Sequence, residues 1–412
     1  TVTVTDPDGG EALDTLVLTI ANVAPTGAIL GVPGAGVEGE MFTLTADAAD
    51  LGPLDAAALT FAWDVELEGS SVATGTGPSF DFTADDDGAY TVSLTIFDDD
   101  TSTLVDESFS IANVAPTVVV PALLTLDEGS LYTTSGTWSD PGILDSHTAT
   151  VDYGDGSGVQ PLTLDAATFE LSHVYADQGS YLIIVCITDD SLESECDFGV
   201  AIVNNVAPTA AILGASATSD EGTKIDLSAD VFDPGVLDGL TYSWTITSDI
   251  FGVVAGGSSP TISYTPDEDQ TLTVTLDVSD EDGGVAPTAT EIITIENVTP
   301  SVTIDGNPGV ADEGDTISLS STVVEPGADT LTYAWQVLRN GQPYTTGADP
   351  TLEFVADDDG AFAISLIVSD DDGGVSDPAS ESLIVGNVAP TATITGAPAE
   401  PVEGTPITLG SD

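Results

Sequence analysis

The sequence predicts an all-β chain, a tandem array of Greek-key β-sandwiches forming an elongated rod, and three observations carry that expectation. The tetrad Asn-Val-Xaa-Pro recurs at Asn22, Asn113, Asn205, Asn297 and Asn387, at intervals of 91, 92, 92 and 90 residues. A period near 90 suits one small sandwich domain rather than a solenoid turn of ~20 to 50 residues. Apolar residues alternate at period two in runs such as Tyr90-Thr-Val92-Ser-Leu94-Thr-Ile96 and Phe362-Ala-Ile364-Ser-Leu366-Ile-Val368, the pattern of half-buried strands. No segment combines a helical period with caps.

The tetrads divide the chain into four full repeats, 24–114, 115–206, 207–298 and 299–388. Residues 1–23 match the closing third of a repeat and 389–412 the opening of one, as expected of a window on a longer polypeptide. In the first repeat the expected strands are 27–30, 41–46, 59–65, 79–83, 89–97 and 106–111. The centre of the third strand carries an aromatic, Trp63, Trp244 or Trp335, placed to plug the space between two sheets. At each joint the tetrad's Pro fixes its own φ and holds the preceding residue extended, so the last strand of one repeat feeds the first strand of the next almost directly. Such joints limit swivel.

Composition narrows the function. Seventy acidic residues against two basic ones, Lys224 and Arg339, give a formal charge of −68, yet 41% of residues are hydrophobic. A disordered acidic chain lacks the aliphatic and aromatic residues needed to offset chain entropy, so each repeat is expected to fold. Two like charges 4 Å apart repel by ~4 kcal/mol at an effective dielectric near 20, and almost no cations are available to neutralise them. Clustered acids therefore need salt or bound cations. The sign of the charge excludes nucleic acid and anionic membrane surfaces as partners, and no apolar run is long enough to span a bilayer, so no direct membrane insertion is expected.

The second repeat carries Val151-Asp-Tyr-Gly-Asp155-Gly-Ser-Gly158 and His173-Val-Tyr175-Ala-Asp-Gln-Gly179-Ser-Tyr181. These stretches resemble the two hallmark motifs of polycystic kidney disease (PKD) domains, an aromatic-Gly-Asp-Gly turn and a His-x-Tyr-x-x-x-Gly-x-Tyr run leading into a strand. The first and fourth repeats keep Asp-Asp-Asp-Gly-Ala followed by Tyr90 or Phe362, and the third has Asp267-Glu-Asp-Gln270 instead. The resemblance implies immunoglobulin-like, PKD-like sandwiches of the kind found in very large bacterial or archaeal extracellular surface proteins. It implies fold and location better than a specific activity.

Acids recur at four places in a repeat. Glu-Gly follows the first strand (Glu38, Glu128, Glu221, Glu313), and a second acid lies between the next two strands (Asp140, Asp233, Glu325). The third group precedes the fifth expected strand (Asp85, Asp87, Asp177, Asp267, Asp269, Asp357, Asp359), and the fourth follows it (Asp189, Asp280, Asp282, Asp370, Asp372). In the implied topology the first and third groups sit where the chain leaves a repeat, the second and fourth where it enters. Head-to-tail stacking would bring them together around the joint asparagines Asn113, Asn205, Asn297 and Asn387. Such a set suits calcium, which takes six to eight oxygens in irregular geometry, and resembles the calcium-rigidified joints of cadherins. The alternative is that Asp, Asn and Gly serve the turns while the acids solubilise the chain or reflect a salt-loving host. An EF-hand is excluded, because Val285 and Val375 stand where its loop requires Gly.

Cys186 and Cys196 face each other if their hairpin is centred near Leu192, and cross-strand spacing permits a disulfide, which would signify an oxidising compartment; two free thiols are the alternative. His147 and His173 have no Cys or His partners at metal spacing, so structural roles are expected for both. No zinc motif, phosphate loop or nucleophile elbow occurs, and no enzyme activity is expected. Asn297-Val-Thr299 fits a glycosylation sequon.

Two functions compete. In one, the repeats form the shaft of an extracellular fibre, filament, stalk or giant adhesin, with neighbouring copies or repeats of the same protein as partners. In the other they are accessory repeats of a secreted multidomain enzyme, gripping polysaccharide or cell-surface proteins. An outward aromatic platform would mark the second, and Tyr344 is the single candidate.

Overall fold

Alternating apolar residues pair into four three-stranded and four five-stranded sheets in the computed structural model, which describes residues 1–412. The chain divides into two compact units, residues 1–205 with 234–237 and residues 206–233 with 238–412. Each unit holds two sandwiches.

In the first unit a hairpin of β1 (Val2–Thr5) and β2 (Glu11–Asp14) precedes the first full sandwich. That sandwich contains β3 (Thr26–Leu30), β4 (Gly36–Val37), β5 (Met41–Ala49), β6 (Thr60–Leu67), β7 (Ser70–Thr76), β8 (Ser79–Thr83), β9 (Gly88–Phe97) and β10 (Ser102–Ala112). One sheet has the order β3-β5-β8 and the other β4-β10-β9-β6-β7. All pairs are antiparallel except β4 with β10. Inward residues at period two, including Leu44, Val65, Val92, Leu94 and Ile96, are fully buried between the sheets. Fixed alternation sets the register, because a slip by one residue would turn this whole set to solvent.

The second sandwich repeats the plan with β11 (Thr117–Val119), β12 (Leu123–Asp127), β13 (Leu131–Ser139), β14 (Thr148–Asp152), β15 (Gln160–Leu162), β16 (Thr168–Val174), β17 (Gly179–Thr188) and β18 (Ser194–Asn204). Cys186 and Cys196 are register partners on β17 and β18 and form a disulfide. The second unit builds two more sandwiches in the same strand order, around Trp244 and Trp335.

The three tryptophans are each 2% exposed, and each indole N–H donates to a carbonyl just before the strand that closes the three-stranded sheet: Gly77 for Trp63, Ser259 for Trp244, Asp349 for Trp335. A buried indole needs that partner. The second repeat has Val151 at the equivalent strand position, and Trp138 on β13 donates to Asp165 instead.

Two strands were absent from the expected set. The short β4 lies parallel to β10, and β7 hairpins back from β6. The β6–β7 turn has positive φ at both Glu68 (48°) and Gly69 (83°), and its fourth-repeat counterpart at Asn340 (48°) and Gly341 (76°). Those are the dihedral signs of the tight hairpin turn that Asn-Gly favours.

Candidate metal centres at the repeat joints

Within the first unit, the first and second sandwiches meet at residues from five loops. Glu38 occupies the turn between β4 and β5, its backbone N–H bonded to Ala112 O at the end of β10, and Gly39 N–H bonded to Ala84 O. Gly39 has φ +74°, and a Cβ there would stand 2.7 Å from Pro141 Cβ of the next repeat. The Glu-Gly pair is thus explained twice: left-handed backbone and close approach both demand glycine. Leu144 N–H donates to Asp85 O, and Ser191 Oγ to Asp87 Oδ1, across the same joint.

The carboxylate of Glu38 is 2% exposed; Oε1 accepts Val114 N–H at 2.7 Å and Oε2 has no hydrogen-bond partner. Asn113 donates its amide to Asp189 Oδ2 at 2.9 Å, leaving Oδ1 buried and unpartnered. Both oxygens of Asp145 are in the same condition. Ligand atoms of Glu38, Asp86 and Asp87 lie within 4.8 Å of one another, as do those of Asp140, Asp145 and His147. Burial pushes the Asp145 carboxyl up to about 7, assisted by the charges of Glu38, Asp140, Asp190 and Asp86. Burial also raises Glu38, against the opposing effect of its bond from Val114.

The same constellation appears independently in the second unit. Glu221, 1% exposed, accepts Val298 N–H at 2.7 Å on Oε1 and leaves Oε2 without a partner. Asn297 donates to Asp370 Oδ2 at 3.2 Å with Oδ1 unpartnered, and Glu325 Oε2 and both oxygens of Asp329 are also unpartnered. Glu221, Glu325 and Asp329 offer oxygens within 4.8 Å of one another. A Cβ on Gly327 would lie 2.8 Å from both Asp329 Oδ2 and Glu221 Oε2, so the glycine forms the floor of the cluster. Burial pushes Asp329 up to about 7, with Glu221, Glu325, Asp372 and Glu268 adding to it. Gly222 meets Pro326 as Gly39 meets Pro141, and Ala328 N–H donates to Asp267 O.

Carboxylate oxygens that lack donors and gather within 4.8 Å of one another, with an unpartnered buried amide oxygen at each joint, form a strongly negative cage. Carboxylates have only acceptors when ionised, so a cluster of them requires protons or a cation. The all-oxygen set of Glu221, Glu325 and Asp329 has the donor chemistry of calcium, as does that of Glu38, Asp86 and Asp87, while Asp140 and Asp145 have the nitrogen of His147 beside them.

The expected residues do not all enter the clusters. Glu38, Asp87, Asn113, Asp140, Glu221, Asn297 and Glu325 sit in these clusters. Asp189 and Asp370 lie beside them but shape their own turns, accepting Glu193 N–H and Gly374 N–H on one oxygen and the joint asparagine on the other. Asp85 and Asp267 contribute backbone carbonyls to the joint, and it is Asp86 that joins the cluster in the first repeat. Asp269 and Asp372 lie close enough together to raise the Asp372 carboxyl, second to burial. Glu128, Asp177 and Asn205 belong to the first unit, where Glu128 is 1% exposed; Asp233, Asp280 and Asp282 belong to the second, where Asp280 closes its turn by accepting Asp282 and Gly284 N–H. In the fourth repeat Arg339 donates to Asp359 O and pairs with Asp357 and Asp358, so Asp357 and Asp359 meet a guanidinium rather than other joint acids, while Glu313 is only half-buried and Asn387 exposed.

Sequence reasoning missed Asp145 and Asp329. Their signal is a second recurring phrase, Asp140-Pro-Gly-Ile-Leu-Asp145, Asp233-Pro-Gly-Val-Leu-Asp238 and Glu325-Pro-Gly-Ala-Asp329, whose closing acid escaped notice beside the first. Asn22 marks an earlier joint, donating to Asp98 and holding that carboxyl down at about 2, with the Thr101 N–H assisting.

Residues 113–200 match the PKD domain family. The chain is a tandem array of immunoglobulin-like β-sandwiches, of which the second matches that family. The match covers the second repeat, whose His173 stacks on Tyr153 at 4.1 Å and bonds Asp155 at 2.7 Å, the motif residues folding onto one another. No curated protein matches the chain. Among solved structures, the fibronectin(III)-like modules of Clostridium thermocellum CbhA are 18% identical over 44% of this chain and 94% of that one, with a TM-score of 0.20. The N-terminal eight Ig domains of Down Syndrome Cell Adhesion Molecule are 12% identical over 90% of this chain and 58% of that one, TM-score 0.28. The N-terminal four Ig domains of Dscam1 isoform 6.9 are 12% identical over 89% and 100%, TM-score 0.25. At these scores none of the three carries an argument about this chain. No helix is long and apolar enough to cross a membrane.

Proposed function

We propose that the PKD-like repeats are a structural, non-enzymatic segment of an extracellular surface protein, the shaft of a fibre, filament, stalk or adhesin, stiffened by calcium at the joints between repeats. The observation that carries this reading is the recurrence, in two separate units, of one unpartnered set: Glu Oε2, Asn Oδ1 and both oxygens of an Asp. Each set is divided between two repeats, so an ion held there would tie one repeat to the next. The disulfide between Cys186 and Cys196 supports an oxidising, extracytoplasmic location.

A polysaccharide-gripping role finds less support. Tyr344, the candidate platform, is half-buried, packs edge-on against Phe354 at 5.9 Å and Phe362 at 5.2 Å, and donates its hydroxyl to Val355 O. It closes the core rather than facing a ligand.

The test is small-angle scattering and calorimetry on the full chain with calcium and after chelation. Calcium should raise the thermal midpoint and lengthen the maximum dimension. An unchanged midpoint and dimension would remove the proposal, and full replacement by concentrated monovalent salt would assign the acidity to halophily.

A further inference from the structure

The residue immediately before the third long strand differs in one repeat. It is Leu59, Leu240 and Leu331 in the first, third and fourth repeats, each packed against its own core, and His147 in the second. An apolar residue therefore suffices for the structural task at this position. The histidine does something leucine cannot: its side chain is 9% exposed, and Nε2 reaches Asp140 Oδ2 at 3.0 Å, a carboxylate whose own side chain is 3% exposed. Asp145, both of whose oxygens are unpartnered, offers a ligand atom within the same 4.8 Å cluster. Glu38, buried and with Oε2 unpartnered, is the strongest charge on Asp145, and the charge of Asp140 in turn disfavours the ionisation of Glu38. The joint in the second unit has no nitrogen donor in the equivalent cluster of Glu221, Glu325 and Asp329.

We propose that the joint between the first and second repeats takes a zinc-class transition metal, held by His147 Nε2 with Asp140, Asp145 and Glu38, whereas the joint between the third and fourth takes calcium. Imidazole nitrogen with carboxylate oxygens suits zinc, with bonds of ~2.0 to 2.2 Å and four ligands, and an all-oxygen set of higher number suits calcium. The inference rests on the reading that joint acids hold cations, and confines calcium to joints that lack a nitrogen donor, with zinc in its place at the joint between the first and second repeats.

Zinc titrated into the full chain in calcium-saturated buffer, with bound metal counted after dialysis, tests it. The native chain should retain one zinc. His147→Leu, which installs the residue the other three repeats carry and so preserves packing, should retain none while its calcium count is unchanged. Leu331→His should gain a second zinc at the other joint. Absence of zinc on the native chain, or its retention by His147→Leu, overturns the assignment. Zinc held through His147 with no calcium bound anywhere would sustain the zinc assignment at the first joint and sink the calcium assignment at the other together with the calcium proposal; calcium without zinc would do the reverse.

Discussion

Replacing Glu221 with Gln should shift stability in opposite directions with and without calcium. Glutamine keeps Oε1, the atom that accepts Val298 N–H, and turns the unpartnered oxygen into an amide nitrogen. Without metal, Glu221 sits within 4.8 Å of the oxygens of Glu325 and Asp329. At an effective dielectric near 20 each such pair repels by ~3.5 kcal/mol. Partial exposure of both partners and proton uptake by Asp329, whose carboxyl is pushed up to about 7, reduce the sum to ~2 to 3 kcal/mol. E221Q should therefore raise the midpoint of its unit by roughly 5 to 10 °C in chelator, taking ~2 to 4 °C per kcal/mol for a unit of this size. In saturating calcium the same change removes a charged ligand and a donor now faces the ion, so the midpoint should fall below that of the native chain. Differential scanning calorimetry in chelator and in millimolar calcium reads both. A fall in both conditions would show Glu221 to be only a hydrogen-bond acceptor, and the cage argument would fail.

The remaining predictions concern pH, the disulfide and the core. Asp145 and Asp329 are raised from the unfolded carboxyl range to about 7, so between roughly pH 4 and 7 the folded chain binds more protons than the unfolded; without metal, stability should rise as pH falls through that window, by ~2 to 4 kcal/mol per joint, and calcium should reverse the slope in chemical denaturation. Reducing Cys186–Cys196 should lower the transition of the second repeat alone, by ~2 to 3 kcal/mol for so short a loop, and an unmoved transition would show that the bond constrains nothing. Trp335→Ala should cost ~3 to 5 kcal/mol in the fourth repeat, measured by urea titration, because it opens a cavity and frees the Asp349 carbonyl.

What could be read in advance follows from how far each signal extends along the chain. The runs at Tyr90 and Phe362 place a whole strand because every second residue is buried. β7 was not legible from Ser70-Ser-Val-Ala-Thr-Gly-Thr76, an edge strand with one face open and no large side chain to mark its period. Its counterpart was signposted by Asn340-Gly341, a turn signal that outweighs weak strand propensity. At the joints, Glu38 and Glu221 were legible as acids fixed beside a glycine, but burial depends on the following repeat closing over them. Asp145 and Asp329 were harder. Their importance lies in having no donor, and an absent partner leaves no trace in a linear sequence.

That absence is informative because the chain supplies donors to acids elsewhere. On the sheet faces, where other proteins use Lys and Arg, hydroxyls take their place: Thr43 donates to Asp81 and Ser93 to Asp106, both directly across paired strands, and Thr288 donates to Asp277. Asp189, Asp280 and Asp370 are satisfied by backbone N–H groups of their own turns. A chain with two cations has therefore found neutral partners for exposed acids on its sheets and for buried ones in its turns. At the joints, the buried Glu38 and Glu221 lie among other carboxylates, and the joint asparagine spends its N–H on Asp189 or Asp370 and leaves its carbonyl oxygen unpartnered. An unpartnered buried acceptor costs ~1 to 3 kcal/mol, more when charged, and a single Thr or Ser per joint would relieve part of it. If the role of these acids were solubility they would lie outside, and if it were turn formation alone both oxygens would find donors, as in Asp370; Glu38, Glu221 and Glu325 each give one oxygen to a backbone N–H and keep the other unpartnered. Leaving one oxygen of Glu38 and Glu221 and both oxygens of Asp145 and Asp329 without a donor, at the place where two repeats share their acids, is the arrangement expected when the missing partner is a bound cation.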